Sequence, residues 1–264
     1  MSNWFTLDHL ASLVVAGDDA EAFAQAQLTA NMADSPEGVW FPTAWCDPKG
    51  RALSVMLANR REGAVELVCP ASQTELLLHR LPMFAIGRKV QVKSGDGVSG
   101  CLDHDESDRA LAFDRGRGLR LMSKASAAGA QQVRRWQIRD LQAGIPWLSP
   151  ETSAQHLPQA LGLEALNAVS YSKGCYPGQE VIARVHYLGK VKHRTTRVAF
   201  EHVDCLSPGT VLIDDRDQRL GQLLWSVTDQ RESSGLAVVY ASAKAGLGFT
   251  AKIGDRVVQG QVSL

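Results

Sequence analysis

Long apolar runs are missing from the 264-residue sequence: none approaches the roughly 18 residues that a membrane-spanning helix needs. Net charge is missing too, because 28 Lys and Arg are matched by 28 Asp and Glu. No bulk field therefore draws the chain to nucleic acid or to a lipid surface, and an anionic partner has to be met by a local patch. No C-x-x-C pair occurs among the five cysteines Cys46, Cys69, Cys101, Cys175 and Cys205. That excludes a zinc site or redox dithiol built from sequence neighbours, and no metal centre is expected. Scattered thiols, odd in number, fit a reducing compartment, most of them as small buried apolar residues. Internal repeats and low-complexity tracts are absent as well. The opening stretch MSNWFTLDHLASLVVAGDD has no basic region and sets Asp8 where a signal's apolar core would lie, so the expectation is a cytoplasmic protein without a signal peptide. What remains, 45% hydrophobic and 21% charged residues, is the composition of a soluble globular chain with room for two or three modest domains.

The order of patterns points to an α+β fold. Residues 10–17 predict a strand ending at Gly17, followed by a helix over 20–32 with Asp18 or Asp19 as N-cap. Three strands come next, separated by the turns Asp47-Pro48-Lys49-Gly50 and Arg61-Glu62-Gly63. A second helix over 71–86 is broken near Pro82, and 89–98 predicts another strand. Strands that follow one another directly, without alternating helices, are the α+β signature. Residues 102–132 are polar and rich in Gly and Ala, and their mixed charges suggest weak strands between solvated loops. A helix over 133–143 is stopped by Gly144 and Pro146. From about residue 193 short alternating strands between turns predict a small β-barrel, which divides the chain into 1–192 and 193–264.

One segment stands apart, SYSKGCYPGQEVIARVHYLGKVKHR, residues 170–194. Cys175 lies between Gly174 and Gly178, with Tyr176 and Pro177 beside it, so the backbone must turn sharply around a thiol. Six cations (Lys173, Arg184, Lys190, Lys192, Arg194, Arg197) stand against Glu180 alone between residues 173 and 197. Nearby cations favour thiolate over thiol, and free N–H groups at a helix beginning near Gly178-Gln179-Glu180 would add to that. Taken alone the pattern leaves two readings open, a reactive thiol or a tight basic loop with an incidental cysteine.

Lys173 to Glu180, KGCYPGQE, resembles the K-G-C-Y-x-G-Q-E signature of the YgfZ family of folate-binding proteins, relatives of the glycine-cleavage T-protein aminomethyltransferases and of mitochondrial iron–sulfur assembly factors. The likeness extends to Gln27-Leu28-Thr29-Ala30, to Cys46-Asp47-Pro48-Lys49-Gly50-Arg51 and to Ala143-Gly144-Ile145-Pro146, and is weakest over 97–130. It implies a T-protein-like ring around a folate channel, made of two interleaved α+β units in 1–192 closed by the C-terminal barrel. It further implies tetrahydrofolate as ligand and support of iron–sulfur cluster assembly or repair in client enzymes, including those that thiolate tRNA. Cys175 would be the functional thiol, in transient contact with a cluster, set among Lys173, Gly174, Tyr176, Gly178, Gln179 and Glu180. Trp136 occupies the spacing of a family tryptophan associated with folate, although on residues alone it reads as a helix core aromatic. Arg184 and Lys190 would meet the anionic tail of the folate. The implied protein is a monomer with no direct nucleic-acid contact and no membrane contact.

Two positions depart from the pattern. Leu10 stands where a second family tryptophan falls. Ser54 stands where the aminomethyltransferases carry an aspartate, and a serine can neither hold negative charge beside a developing iminium ion nor act as a carboxylate base. The expectation is therefore a binding protein and not an enzyme, with a folate-dependent aminomethyltransferase as the alternative. An RNA module built on the basic 184–197 stretch is the third reading, disfavoured because no aromatic stacking platform accompanies the charges.

Overall fold

A computed structural model describes residues 4–104, 108–122, 126–201, 206–229, 233–254 and 256–263, with no side-chain description of Ile253. Two open sheets and one closed barrel make up the fold. The first sheet has the order β3 (Phe41–Cys46), β4 (Ala52–Arg61), β5 (Ala64–Pro70), β2 (Leu10–Ala16), β6 (Gln91–Ser94), antiparallel throughout. The meander expected from the 47–50 and 61–63 turns is β3 to β5. The second sheet orders β1 (Phe5–Thr6), β7 (Val98–Cys101), β9 (Asp114–Leu121), β8 (Ala110–Leu111). The chain therefore begins in the second sheet, builds the first, and returns to the second. The stretch 89–98, expected as one strand, is two: the break at Gly95-Asp96-Gly97 is where the chain changes sheets.

Helices α1 (Ala20–Gln27) and α2 (Thr74–Arg80), with the 3-10 turn Leu81–Phe84 that follows, cover one face of the first sheet, burying Phe23, Leu77 and Leu81 against Met56, Val65 and Leu67. The other face is covered too. Ala44, Ala52 and Val55 meet Leu161, Ile182 and the barrel residues Leu224 and Val238, while Leu57 and Val68 meet Phe5, Leu119 and Trp136. That is why β4 is buried without interruption from Ala52 to Asn59 and shows no polar alternation. Helix α1 ends at Gln27, short of the expected residue 32. Leu28 is extended (ψ 156°) because it bridges to Trp45, and the Thr29 hydroxyl accepts from Ala44 N–H at 2.9 Å and donates to the Ala168 carbonyl at 2.6 Å. Asp19 does not cap α1 through its side chain; its carboxylate accepts from Lys89 N–H at 2.8 Å.

The stretch 102–132 corrects the expectation of a solvated surface. Arg117 on β9 is 0% exposed. Its guanidinium donates to Asp114 at 2.8 Å and to Asp140 at 2.7 Å, and its plane lies 4.5 Å from the ring of Trp136 and 5.7 Å from that of Phe113. Asp140 and Trp136 come from α3 (Ala130–Ala143), and the second Asp140 oxygen accepts from Trp147 Nε1 at 3.0 Å. Polar sequence here thus encodes a buried ion network. Gly144 (φ 75°) closes α3 in the left-handed conformation, as its placement before Ile145-Pro146 predicts.

The barrel closes in the order β10 (His193–Phe200), β13 (Ser233–Tyr240), β12 (Arg219–Thr228), β11 (Val211–Ile213), β14 (Gly248–Ile253), β15 (Arg256–Ser263). Leu212, Leu223, Val239, Phe249 and Val258 fill it. Trp225 ties it to the remainder, its Nε1 donating to the Ile145 carbonyl at 2.9 Å. Among the described residues no helix is long and apolar enough to cross a membrane. Cys205 lies outside the described residues.

Removing one member of a buried ion pair leaves the other charge uncompensated. Asp140→Ala is expected to lower the unfolding free energy by about 3–5 kcal/mol, read from the denaturant midpoint. The exposed Lys244→Ala should stay within about 0.5 kcal/mol of the parent.

Candidate functional site

The turn around Cys175 is shaped by its contact with the Asp47–Arg51 hairpin turn. Gly178 is left-handed (φ 77°), and a Cβ there would stand 2.6 Å from the Asp47 carbonyl oxygen and overlap Gly50 Cα. Gly50, also at φ 77°, faces it, so two backbones touch where side chains have no room. The Asp47 carboxylate holds the hairpin by accepting from Lys49 N–H and Arg51 N–H, each at 2.9 Å. Gly178 is then the N-cap of α4 (Gln179–Leu188), whose Ile182 is buried on the Gly50 side.

The other signature residues are spoken for. Tyr176 is buried, with its hydroxyl donating to the Ser170 carbonyl at 3.1 Å and burial raising its pKa. Gln179 Nε2 donates to the Lys173 carbonyl at 3.4 Å. Lys173 Nζ donates to the carbonyls of Gln25 (2.6 Å), Ala30 (2.9 Å) and Leu28, the end of α1, and lies 4.9 Å from the Tyr176 ring centre. Burial pushes the Lys173 ammonium down to about 8. Arg184 pairs with Glu180 at 3.1 Å along α4. Two of the six cations expected to favour the thiolate thus have other partners: Lys173 takes carbonyls at and just beyond the end of α1, and Arg184 is engaged one turn back on its own helix. Gly174 has open space where a Cβ would be, and Cys175 is exposed. Among the signature residues these two have no anchoring contact.

Two cavities flank α4. The first, about 750 Å³, lies beside the signature and is lined by Ser170, Tyr171, Leu166, Phe113, Asn31 and Asp34, with Tyr187 of α4 at its edge. Tyr171 is fixed by donating to Glu164 at 2.5 Å and by stacking on His186 with ring centres 3.9 Å apart; Glu164 also takes His186 Nδ1 at 2.7 Å. Burial raises the Tyr171 pKa, with the Glu164 hydrogen bond adding to it, so the phenol stays a donor. Asn31 Nδ2 donates to Asp34 at 2.6 Å, leaving a carboxylate oriented at the other end. The second, about 870 Å³, is lined by Val181 and Val185 of α4 together with Lys49, Arg51, Lys190 and barrel residues. Val185 and Tyr187 are two residues apart, about 200° around the helix, so the cavities lie on opposite sides of α4.

The sequence-derived folate residues divide. Lys190 lines the second cavity and not the one beside the signature. Arg184 lines neither cavity: it lies three residues from both Val181 and Tyr187, between the two flanks of α4. Trp136 lines neither cavity: it is 1% exposed, edge-on to Phe5, with its ring against Gly100, where a Cβ would come within 2.7 Å. It reaches the first cavity only at second hand, since Arg117 lies between its ring and that of Phe113. Ser54 is 0% exposed inside β4, and its Oγ has no partner among the described residues. Sequence reasoning passed over Tyr171, although it stands two residues before the signature; no local pattern signals that Phe113, Asn31 and Asp34 line a cavity with it. No group of three His, Cys, Asp or Glu among the described residues could hold a metal ion.

No family model matches the chain. Among curated proteins it is 33% identical over 203 residues to an uncharacterized protein of Haemophilus influenzae, covering 73% of this chain and 71% of that protein. It is 27% identical over 224 residues to the tRNA-modifying protein YgfZ of Vibrio atlanticus (75% and 69% covered) and 28% identical over 223 residues to that of an Enterobacter species (71% and 68%). Among solved structures, the glycine cleavage system aminomethyltransferase T from Bartonella henselae matches 100% of this chain and 85% of its own with a TM-score of 0.68 at 13% identity, which establishes a shared fold.

Burial pushes the thiol of Cys46 far up and that of Cys69 to about 12, and Cys101 is buried as well. With iodoacetamide at neutral pH, Cys175 should be the first of these four to be alkylated, by at least an order of magnitude in rate. Peptide mapping that found Cys101 or Cys69 modified first would contradict the exposed placement.

Proposed function

The chain belongs to the YgfZ family, and on that premise we propose that it is a folate-binding accessory protein whose Cys175 thiol serves iron–sulfur enzymes, including those that thiolate tRNA. The observation that carries this reading is the division of labour in KGCYPGQE. Lys173, Tyr176, Gly178 and Gln179 hold the turn, while the thiol they surround is exposed and has no structural task. A turn so firmly held presents its one reactive atom outward.

The residues around the 750 Å³ cavity fit a reduced folate. A pterin is flat and carries adjacent N–H donors on one edge. Phe113, Tyr171 and Leu166 supply ring and apolar faces, and the Asp34 carboxylate, oriented by Asn31, suits those donors. Arg184, exposed on α4 between its two flanks, would meet the glutamate tail outside the cavity. Bound folate would supply a one-carbon carrier. Ser54, buried within β4, offers no base for aminomethyl transfer, which favours a binding role over a transferase. One thiol cannot saturate a cluster, so Cys175 would act together with thiols of a client or assembly partner.

Titration with tetrahydrofolate should give saturable binding. Tyr171→Ala should weaken it roughly five- to tenfold, the worth of one aromatic contact, whereas Trp136→Ala should act first on stability. Absence of saturable binding would remove the folate assignment. Cys175→Ser should fold and bind folate like the parent, because serine is nearly isosteric and the turn is held by its neighbours. It should fail to restore iron–sulfur enzyme activity in cells lacking the protein, since a hydroxyl is a poor ligand for soft iron. Full restoration would make the thiol incidental.

A further inference from the structure

The 870 Å³ cavity on the far side of α4 has a chemistry of its own. Lys49 and Arg51 of the hairpin turn, Lys190 and Lys192 beyond α4 and Arg219 at the start of β12 all line it, and no aspartate or glutamate does. Among the described residues none of these five cations has a carboxylate partner, whereas Arg117, Arg139 and Arg184 each have one. Five uncompensated charges around one concavity, in a chain of zero net charge, repel one another unless an anion sits among them. The floor is polar: His156 Nε2 donates to Gln222 Oε1 at 3.2 Å. Burial lowers the His156 pKa, and His193, Arg219 and Arg51 lower it further by their charge, so the cations act together on the cavity interior. The rim is aromatic. Tyr240, 45% exposed, lies beside His193 with ring centres 4.7 Å apart.

We propose that this cavity is a second ligand site, which takes the phosphates of a nucleotide on its five cations and the base against the Tyr240–His193 pair. Phosphate is the oxyanion best matched to several Lys and Arg converging on one point, and a ring platform beside it adds stacking for the base. The volume falls in the range of small-ligand pockets. The nucleotide could be free or the 5′ end of an RNA strand, since both present the same phosphates. The site does not rest on the folate reading, because α4 separates the two cavities.

Fluorescent ATP and a 5′-phosphorylated oligoribonucleotide, each titrated against the intact protein at low salt, test the site. Saturable binding of ATP, competed by tripolyphosphate, assigns a free nucleotide; binding of the oligonucleotide alone assigns a strand end. In either case Lys190→Gln and Arg219→Gln should each weaken binding roughly tenfold, added salt should weaken it steeply, and Lys244→Gln should leave it unchanged. All three side chains are on the surface, so unchanged melting temperatures will exclude unfolding as the cause. Saturating tetrahydrofolate should not displace the nucleotide. Binding of neither probe, or binding indifferent to Lys190→Gln and Arg219→Gln, would overturn the proposal, and displacement by tetrahydrofolate would overturn the separation of the two sites.

Discussion

The contact of Gly178 with Gly50 is the constraint on which the site depends. A Cβ on Gly178 would overlap the backbone of Gly50, and Gly50 is itself left-handed (φ 77°) with Ile182 and Gly178 close to where its Cβ would stand. The closeness of the two glycines couples a hairpin between β3 and β4 to a turn far along the chain, and sets where α4 starts. From that start follow the direction of α4, the separation of the two cavities on its flanks, and the outward position of the thiol just before it. Lys173 adds a second tie by closing the carbonyl end of α1. The signature turn is thus fastened to two parts of the first sheet's unit, and Cys175 projects from a rigid mount instead of a free loop.

Cations are used in two ways in this molecule. Arg117 and Lys173 are taken out of water and paired with Asp114, Asp140 and main-chain carbonyls, with Arg117 Nη2 left without a partner among the described residues. They organise the interior, where a partly satisfied charge would be costly. Lys49, Lys190, Lys192 and Arg219 remain at a concave surface without carboxylates. A zero net charge therefore hides an uneven field: the buried Arg117 is paired with two carboxylates, whereas no carboxylate lines one cavity.

The fold was legible wherever period and punctuation agreed. Gly63, Gly144 and the Asp47–Gly50 turn stand where the sequence set them, and the alternation after residue 193 became the closed barrel. The failures have physical causes. Residues 102–132 look solvated because their apolar content is low, but the core they enter is built on an ion network, which leaves no hydrophobic period to detect. Helix α1 stops early because Thr29 finds partners on β3 and on Ala168, a tertiary override of local propensity. At the site, the signature turn and its exposed thiol were readable from glycine spacing. Its supposed activation by Lys173 was not, since adjacency in sequence says nothing about the three carbonyls of residues 25–30 that accept from its ammonium. The grouping of Phe113, Asn31 and Asp34 with Tyr171, and of Arg219 with Lys190, arises only when separate sheets and the barrel meet.

The first strand belongs to a sheet whose other members come some ninety residues later, Phe5 pairing with Gly100 and Thr6 with Ser99. During synthesis β1 stays without its partner until β7, which directly follows the last strand of the first sheet, has left the ribosome. Closing such a distant pair is slow and exposes an edge in the meantime. A two-residue strand offers little edge for wrong pairing during that wait, so its brevity protects the nascent chain.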